Sequence, residues 1–237
     1  MIFRDLGIID YQSAWDYQEN LLQENLAIKA SARSAGVDVL PQMLPTTHHL
    51  LFCEHLPVYT LGKSGHMENL LLPLDQMGEK GVSFFKTNRG GDITFHGLQQ
   101  LVGYPIFDLE KFDTDIGKYL RNIEEVIIRT IASFGIKGER SKGETGVWID
   151  ADIKGRERKI CAMGIKCSRW ITMHGFAFNV NTDLNYFNYI VPCGIQNKQV
   201  TSLEKELGYK LNYEEVKGKV QRNFEQVFSA KLIETNS

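Results

Sequence analysis

Two neighbouring stretches decide the fold class of this chain: Lys159-Ile160-Cys161-Ala162-Met163-Gly164-Ile165-Lys166-Cys167 and Ile171-Thr172-Met173-His174-Gly175-Phe176-Ala177-Phe178-Asn179-Val180. Both have the length and the β-branched and aromatic content of strands, and polar residues separate them. With Gly146 to Ile149 just before them, they form a group of strands without an intervening helix. Such grouping predicts an α+β fold in which mixed or antiparallel sheets pack with helices.

Three helices are predicted outside this group of strands. Residues 13–35 carry apolar residues near helical spacing and end at Gly36. Residues 114–135 have the clearest apolar face, with Thr114 as the predicted N-cap and Gly135 as the stop. A last helix is predicted from Tyr213 to Phe228, capped by Asn212.

Four further apolar runs predict strands at His49–Cys53, Val82–Thr87, Asp92–His96 and Leu101–Leu109. The segment Asn88-Arg89-Gly90-Gly91 lies between the second and the third run and predicts a turn that joins them. We find no internal repeat and no long linker, which favours one domain over residues 1–237.

Composition excludes several classes of protein. The chain has 237 residues, of which 43% are apolar and 24% charged, and its formal net charge is −2. This is ordinary for a soluble globular protein and excludes a strongly basic nucleic-acid binder. We expect no membrane span, because no apolar window of about eighteen residues occurs. The segment Met1–Leu6 lacks the features of a secretory signal.

The four cysteines are Cys53, Cys161, Cys167 and Cys193. None forms a C-x-x-C pair, so a zinc ribbon or a thioredoxin-type site is not expected, and neither is another metal site. A reduced, cytoplasmic protein is the simpler interpretation, although an even number of cysteines leaves one disulfide possible.

The segment Ile190-Val191-Pro192-Cys193-Gly194-Ile195 contains the candidate nucleophile. A lone cysteine more often fills space in a core, but Cys193 lies between proline and glycine and close to several asparagines. A thiol of pKa ~8.5 needs a cationic neighbour to react as a thiolate. Lys159 is the candidate, against the alternative of a solvated surface lysine. Cys161 is the rival nucleophile, because strand alternation places it on the same face as Lys159.

The segment Arg89-Gly90-Gly91-Asp92-Ile93-Thr94-Phe95-His96-Gly97 is the second candidate site. It is open to two interpretations. The first is a tight hairpin turn at the glycine pair. The second is a loop whose glycines let the backbone approach a substrate.

These segments resemble the lipoyl(octanoyl) transferases, the lipoate-protein ligase B family. Lys159–Gly164, Met173–Ala177 and Val191–Ile195 occur in the family's order, and the R-G-G-x-x-T-(Y/F)-H motif is matched at every fixed position. The resemblance runs from about His48 to Leu207 and implies the catalytic-domain fold of the lipoate and biotin protein ligases. It implies Cys193 as the acyl carrier and Lys159 as the residue that lowers the pKa of its thiol. It also implies a substrate site formed by Arg89, Gly90, Gly91, Asp92, Ile93, Thr94, Phe95, His96, Ala162, Met163, Gly164, His174, Gly175 and Phe176.

The partners are likewise implied by the resemblance. The donor is octanoyl-acyl carrier protein, and the acceptors are lipoyl domains of 2-oxoacid dehydrogenases and the glycine cleavage H protein. No cofactor, metal, nucleic acid or membrane is implied. The basic residues Lys154, Arg156 and Arg158 suggest a docking role toward the acidic donor, against the alternative of a solvated loop.

The chain departs from the family pattern at one place. The family continues H-G-P-G-Q, whereas this chain has His96-Gly97-Leu98-Gln99-Gln100. Without glycine or proline, we expect an ordinary backbone conformation here. Leu98 is then predicted to contact the acyl site and Gln99 to face solvent or a partner, or both are plain surface residues.

Three other functions remain open from the sequence. An ATP-dependent lipoate or biotin ligase would use a lysine but no cysteine. A cysteine hydrolase would use His174 or His96 as its base. A scaffold that binds acyl carrier protein would need no intact Lys159 and Cys193 pair.

Overall fold

The computed structural model describes residues 1–34, 40–191 and 199–234. Its helices are α1 (Tyr11–Ser34), α2 (Leu74–Met77), α3 (Ile116–Ala132), α4 (Leu203–Leu207) and α5 (Tyr213–Val227). Its strands are β1 (Ile2–Ile9), β2 (His49–His55), β3 (Val58–Leu61), β4 (Ser83–Lys86), β5 (Ile93–His96), β6 (Gln100–Ile106), β7 (Val147–Ile149), β8 (Arg158–Ser168), β9 (Ile171–Asn179), β10 (Gln199–Val200) and β11 (Ile233–Glu234).

The strands form a large and a small sheet. The large sheet has the order β10-β8-β9-β6-β2-β1-β11, and β7 pairs with β8 beside it. Its central strands β8, β9, β6 and β2 are antiparallel, whereas β1 is parallel to β2 and β10 is parallel to β8. The small sheet has the order β4-β3-β5. This mixture of sheets packed with helices confirms the predicted fold class.

Helices cover both faces of the large sheet because its strands alternate apolar residues between the two sides. On β6, Leu101 packs in the cluster that contains α3 and α5, and its neighbour Val102 packs with α1. Each such side chain, when fully buried, contributes roughly 1.5–3 kcal/mol. The small sheet has its own apolar cluster, which includes Tyr59, Phe95 and Ile190.

A buried ion pair fixes α1 on the sheet. Nζ of Lys29 lies 2.6 Å from Asp108 and 2.9 Å from Glu110, and Thr46 Oγ1 donates to the same Asp108 carboxylate at 2.8 Å. Asp108 is fully buried. Removing Lys29 would therefore leave an uncompensated buried charge, which costs about 3–5 kcal/mol. The pair matters for the site because α1 brings Tyr11 to the cavity described below.

The predicted helices are present with small changes at their ends. Helix α5 is capped as predicted, because the Asn212 side chain accepts a hydrogen bond from the Glu215 amide. Helix α3 begins later than predicted, and its N-cap is Asp115, not Thr114. The Asp115 backbone is extended, and its carboxylate accepts from the Lys118 amide at 3.0 Å. A side chain in this position satisfies an amide that the first turn leaves unpaired.

The predicted hairpin at Asn88–Gly91 is wrong. Strands β4 and β5 do not pair with each other, because β3 lies between them and pairs in parallel with β4 and antiparallel with β5. The segment from Thr87 to Asp92 therefore crosses over β3 to reach the opposite edge of the small sheet. Strand β3 was not predicted because it has only four residues, between turn residues on both sides. This is too short to show an alternation of apolar and polar residues.

Several other elements were also missed. They are β1, β10, β11, α2 and α4, and all of them except β1 are too short for a periodic pattern to register. Within the described residues, no helix combines the length and the apolarity needed to cross a membrane.

Candidate active site

A cavity lies over β8, β9 and β6, beneath the segment that joins β4 to β5. It brings together residues of three predicted segments, Arg89–His96, Lys159–Gly164 and His174–Phe176. These segments are far apart in the sequence: Asn88 and His174, for example, are hydrogen-bonded although they are 86 positions apart. The predicted residues that line it are Arg89, Gly91, Asp92, Ile93, Thr94, His96, Lys159, Ala162, Met163, Gly164, His174, Gly175 and Phe176.

Two predicted substrate residues lie outside this lining. Gly90 lines an adjoining groove with Lys159, Met163 and Gly164, and its amide donates to the Ile165 carbonyl at 2.8 Å. Phe95 is buried in the small-sheet cluster, where its ring stacks on Tyr186 with centroids 4.5 Å apart. Side chains alternate along β5, so the Phe95 ring lies on the face opposite to Thr94 and His96, which face the cavity.

Several residues that line the cavity were not predicted. On β6, Gln100, Val102 and Tyr104 alternate toward the cavity, and on β9 Ala177 and Asn179 continue the alternation of Gly175, so a period of two was the available signal. Tyr11, Phe187 and Val200 had no such signal, because helix α1, the Leu184–Tyr189 turn and β10 reach the cavity only through the tertiary fold. The missed residues are Tyr11, Gln100, Val102, Tyr104, Ala177, Asn179, Phe187 and Val200.

Small residues form the floor of the cavity. Ala162 on β8 pairs with Ala177 on β9, and Gly164 pairs with Gly175. Ala177 in turn pairs with Val102 on β6. Short side chains across three adjacent strands leave an apolar space above the sheet.

Arg89 holds the loop that covers this floor. Its guanidinium donates to the carbonyl oxygens of Gly90 at 2.9 Å, Thr60 at 2.6 Å and Asp92 at 2.8 Å. The loop presses closely on β8, because a Cβ atom at Gly164 would lie 2.6 Å from the Gly90 carbonyl oxygen. Gly164 is thus required for backbone contact between the loop and the floor.

Lys159 lies at the partly exposed end of the cavity, between two strands. It pairs with Trp148 on β7 and with Val200 on β10. Its ammonium group lies 4.5 Å from the centroid of the Trp148 ring, a cation–π contact. Its stem runs past Gly146, where a Cβ atom would lie 3.5 Å from Lys159 Cε and 2.5 Å from the Cys161 carbonyl oxygen. The Gly146 amide is held by the buried Glu124 carboxylate at 2.9 Å.

Cys161 does not line the cavity as Lys159 does, so the predicted alternation fails here. The register of β7 and β8 shifts between Val147 and Trp148, and both Ile160 and Cys161 are fully buried in the α3 and α5 cluster. Burial raises the pKa of the Cys161 thiol and the nearby Glu124 carboxylate adds to this, while the charge of Lys159 opposes both. Cys161 is therefore a poor nucleophile, and it does not line the cavity.

Cys193 lies outside the described residues. The described residues on either side of it are held near the site. The Val191 amide donates to Asn69 at 2.8 Å, and beyond Cys193 the chain continues as β10, whose Val200 pairs with Lys159.

Two histidines, His96 and His174, line the cavity. His96 donates through Nδ1 to Gln100 at 2.9 Å, and its Nε2 accepts from Thr60 at 3.3 Å. His174 donates through Nε2 to Asn88 at 2.7 Å. Burial lowers the pKa of both rings, that of His174 to about 3, and the Arg89 charge contributes to each shift.

The predicted ordinary backbone is wrong at Gln99, and of the two interpretations of Leu98 the structure favours a plain surface residue. Gln99 adopts a left-handed backbone with φ of +60°, at the position where the family pattern H-G-P-G-Q has glycine. Gln99 is half-buried rather than solvent-facing, and its side-chain oxygen accepts from Asn181 at 2.9 Å. Its amide donates to the Glu54 carboxylate. Leu98 is exposed and does not line the cavity.

The proposed docking charges are partly neutralised within the chain. Arg158 bonds to Asp150 and, through two nitrogens, to Glu206. Arg156 also lies 3.1 Å from Asp150. The structure therefore favours a role for Arg158 in holding β8 to α4 over one in attracting a partner.

Comparison with known proteins identifies the family. Residues 10–225 match the lipoyl protein ligase A/B catalytic domain. The chain belongs to this family. It is 54% identical to the octanoyltransferase of Christiangramia forsetii, over 97% of this chain and 96% of that protein. It is also 54% identical to the octanoyltransferase of Flavobacterium johnsoniae, over 97% of each chain. The resemblance inferred from the sequence motifs is confirmed.

Solved structures of the family share this fold at low sequence identity. A bi-partite lipoate protein ligase of Thermoplasma acidophilum is similar with a TM-score of 0.67 and 18% identity, over 99% of this chain and 87% of that one. A lipoate-protein ligase A bound with ATP has a TM-score of 0.67 and 15% identity, over 100% and 88%. The biotin protein ligase of Aquifex aeolicus is more distant, with a TM-score of 0.51 and 11% identity, over 96% and 70%. The predicted ligase-type catalytic fold is thereby confirmed.

Proposed function

We propose that this chain is an octanoyltransferase that moves an octanoyl group from octanoyl-acyl carrier protein to a specific lysine of lipoyl domains, through a thioester on Cys193. One observation carries the proposal: the segments Arg89–His96, Lys159–Gly164 and His174–Phe176 meet at an apolar cavity, and Lys159 lies at its partly exposed end. Near-full-length relatives named octanoyltransferase support acyl transfer as the reaction class. The acceptors are the lipoyl domains of 2-oxoacid dehydrogenases and the glycine cleavage H protein.

The reaction has two steps. The Cys193 thiolate attacks the carbonyl carbon of the donor thioester, and the carrier-protein thiolate leaves and takes up a proton. The amine of the acceptor lysine then attacks the Cys193 thioester, an amide bond forms, and the Cys193 thiolate leaves. The amine loses one proton in this second step, so the net transfer is balanced and needs no other reactant.

Lys159 supplies the positive charge for both steps. An ammonium group near a thiol favours the thiolate and favours negative charge that develops on the carbonyl oxygen. The Trp148 ring and the Gly146 backbone fix the Lys159 side chain beside the cavity. A positioned charge of this kind contributes more than one on a freely moving surface lysine.

The floor of the cavity suits a saturated chain. Ala162, Ala177 and Val102 offer no hydrogen-bonding side chains, and burial of each methylene contributes about 0.8 kcal/mol. A medium-length acyl group therefore gains affinity from the floor, while its carbonyl remains near Lys159.

The rival functions fit this site less well. A cysteine hydrolase would need a histidine base, but burial lowers the pKa of both His96 and His174, and both ring nitrogens of His96 are engaged in hydrogen bonds within the chain. An ATP-dependent ligase shares the fold, but the similar solved ligases are at most 18% identical among those compared above. A scaffold would not need the packing that fixes Lys159.

Intact mass measurement tests the proposal. Wild type incubated with octanoyl-acyl carrier protein should gain one octanoyl group, and a lipoyl domain added afterwards should remove it. Cys193→Ser should gain none, and Cys161→Ser, the matched control, should behave as wild type. An adduct on Cys193→Ser that Cys161→Ser lacks would assign the nucleophile to Cys161. Absence of any adduct on wild type would overturn the covalent mechanism.

A further inference from the structure

The cavity has two ends with different exposure. At one end, which we call the Lys159 end, the paired residues Lys159 and Val200 are partly exposed. At the other, the Tyr104 end, the side chains are buried: they belong to Tyr11, Tyr104 and His174. The cavity therefore opens near Lys159 and is closed by aromatic rings.

Strand register gives the distance between the two ends. On β6, Gln100 pairs with Asn179 and Gly103 with Phe176, so Tyr104 lies level with Gly175. Four residues of antiparallel strand span about 13 Å. Tyr104 thus lies about 13 Å along the floor from the level of Gln100, which is the strand level nearest Lys159. Val102 lies halfway between Gln100 and Tyr104.

The Tyr104 ring is held in place by buried hydrogen bonds. Its hydroxyl donates to His55 Nε2 at 2.7 Å, and His55 donates through Nδ1 to the Ile9 carbonyl at 2.8 Å. His55 is fully buried and Tyr104 is 4% exposed. Tyr11 packs against the same group, with its ring 5.3 Å from His55 and 6.1 Å from His96. Rotation of the Tyr104 ring would break this network, so it forms a rigid wall.

We propose that Tyr104 determines the longest acyl chain that the site accepts. The inference rests on the proposed function, because that function places the acyl carbonyl at the Lys159 end. The chain then runs over Ala177 and past Val102, and its methyl end meets the Tyr104 ring. A chain that is too long cannot extend further and is excluded by contact with this ring.

The expected size of the effect follows from apolar burial. Each methylene that fits should improve kcat/KM by roughly fourfold, and this gain should reverse at the length where the chain meets Tyr104. Tyr104→Ala should extend the gain by at least two methylenes, so that the decanoyl to octanoyl ratio rises by about tenfold or more. Val102→Phe should move the limit the other way and favour hexanoyl over octanoyl.

The experiment compares transfer from C6, C8, C10 and C12 acyl thioesters by wild type and these variants. Tyr104→Phe is the matched control, because it keeps the ring and removes only the hydroxyl. Since the ring still fills this end of the cavity, its longest accepted chain should be that of wild type, even though the bond that fixes the ring on His55 is lost. An unchanged profile in Tyr104→Ala would overturn the proposal, as would a profile that changes equally in Tyr104→Phe.

Direct binding separates this inference from the proposed function. Calorimetric titration of the same proteins with C6 to C12 fatty acids should show the same length limit without any transfer. If wild type binds the acids but transfers no acyl group, the proposed function fails and the binding series still tests Tyr104. If Tyr104→Ala does not fold, Tyr104→Leu and Val102→Phe make the same test. An absence of any shift in both would reject the role of Tyr104.

Discussion

The two ends of the cavity stand on the same sheet yet have opposite chemical character. At the Lys159 end, a positive charge lies over an aromatic ring and near solvent. At the Tyr104 end, Tyr104 and His55 are buried and bonded to each other, and His55 also bonds to the backbone. Burial lowers the pKa of His55 to about 4 and raises that of Tyr104.

The difference shows that one sheet surface can carry both a reactive end and a closed end. Small residues on β8 and β9 run the length of the cavity, so the contrast comes from the elements that cover its ends. Strands β7 and β10 surround Lys159, and α1 and β2 supply Tyr11 and His55. We expect reactivity to depend on the first group and substrate length and stability on the second.

The largest effect is expected at Lys159. Lys159→Met keeps much of the apolar stem and removes the charge, and it should lower kcat/KM for octanoyl transfer by about 1,000-fold, or about 4 kcal/mol. The unfolding free energy should change little, because the side chain is only partly buried. Lys210→Met, exposed between α4 and α5, is the control. If kcat/KM of Lys159→Met falls by less than tenfold, reactivity does not depend on the Lys159 end, and the proposed difference between the two ends is wrong.

Stability should respond to pH through the Tyr104 end. The unfolded chain protonates His55 below pH 6.5, whereas the folded chain keeps it neutral down to about pH 4. Its contribution is therefore complete above pH 6.5 and is lost as the pH falls toward 4. Between pH 7.5 and 5 this amounts to about 2 kcal/mol, measured by urea unfolding.

The control for this pH effect is a variant pair. His55→Asn should show a loss of stability on acidification that is about 2 kcal/mol smaller than in wild type. The same change at the exposed His66 should leave the loss as in wild type. Equal pH dependence in both variants would mean that His55 is not the group that titrates.

A smaller effect is expected at Trp148. Trp148→Leu removes the ring beneath the Lys159 ammonium and should lower kcat/KM by about tenfold. The kcat/KM of Trp148→Phe should lie between those of Trp148→Leu and wild type. Iodoacetamide labelling of Cys193 should shift to higher pH in the same order. If Phe and Leu behave alike in both measurements, Trp148 acts through its volume and not through its ring face.

The smallest effect is expected at Gln99, outside both ends. Gln99→Gly relieves a left-handed backbone but loses the bond to Asn181, so stability should rise by at most about 1 kcal/mol. Gln99→Ala keeps the backbone strain and loses the bond, and it should be less stable than wild type. Transfer activity should stay within twofold in both. A large loss of activity would extend the site to this loop.

What the sequence could predict was local. The buried residues Ile123, Ile127 and Ile131 of α3 repeat every four positions, and Asn212 precedes α5, so both helices were readable. The motif segments indicated most of the cavity lining for a similar reason, because each is continuous in the sequence.

The features that the sequence could not predict depend on strands and helices that are distant in the sequence. Strand β3 forms because β4 and β5 flank it, and the direction of Phe95 follows from that pairing. The register shift that buries Cys161 arises from β7. Tyr11 and Tyr104 are plain apolar residues in the sequence, and only the packing of α1 on β6 brings them to the same end of the cavity.

The order of the large sheet also bears on how the chain folds. Strands β8 and β9 are joined by Arg169 and Trp170 alone, both in the left-handed region that such tight connections use. β9 must then pair with β6 across the 64 residues between them (107–170), and β6 must pair with β2 across 44 residues (56–99). Nearby contacts close faster than remote ones. We therefore expect the β8–β9 hairpin to form early, so that Ala162, Gly164, Gly175 and Ala177 are in register before the elements that cover the cavity arrive.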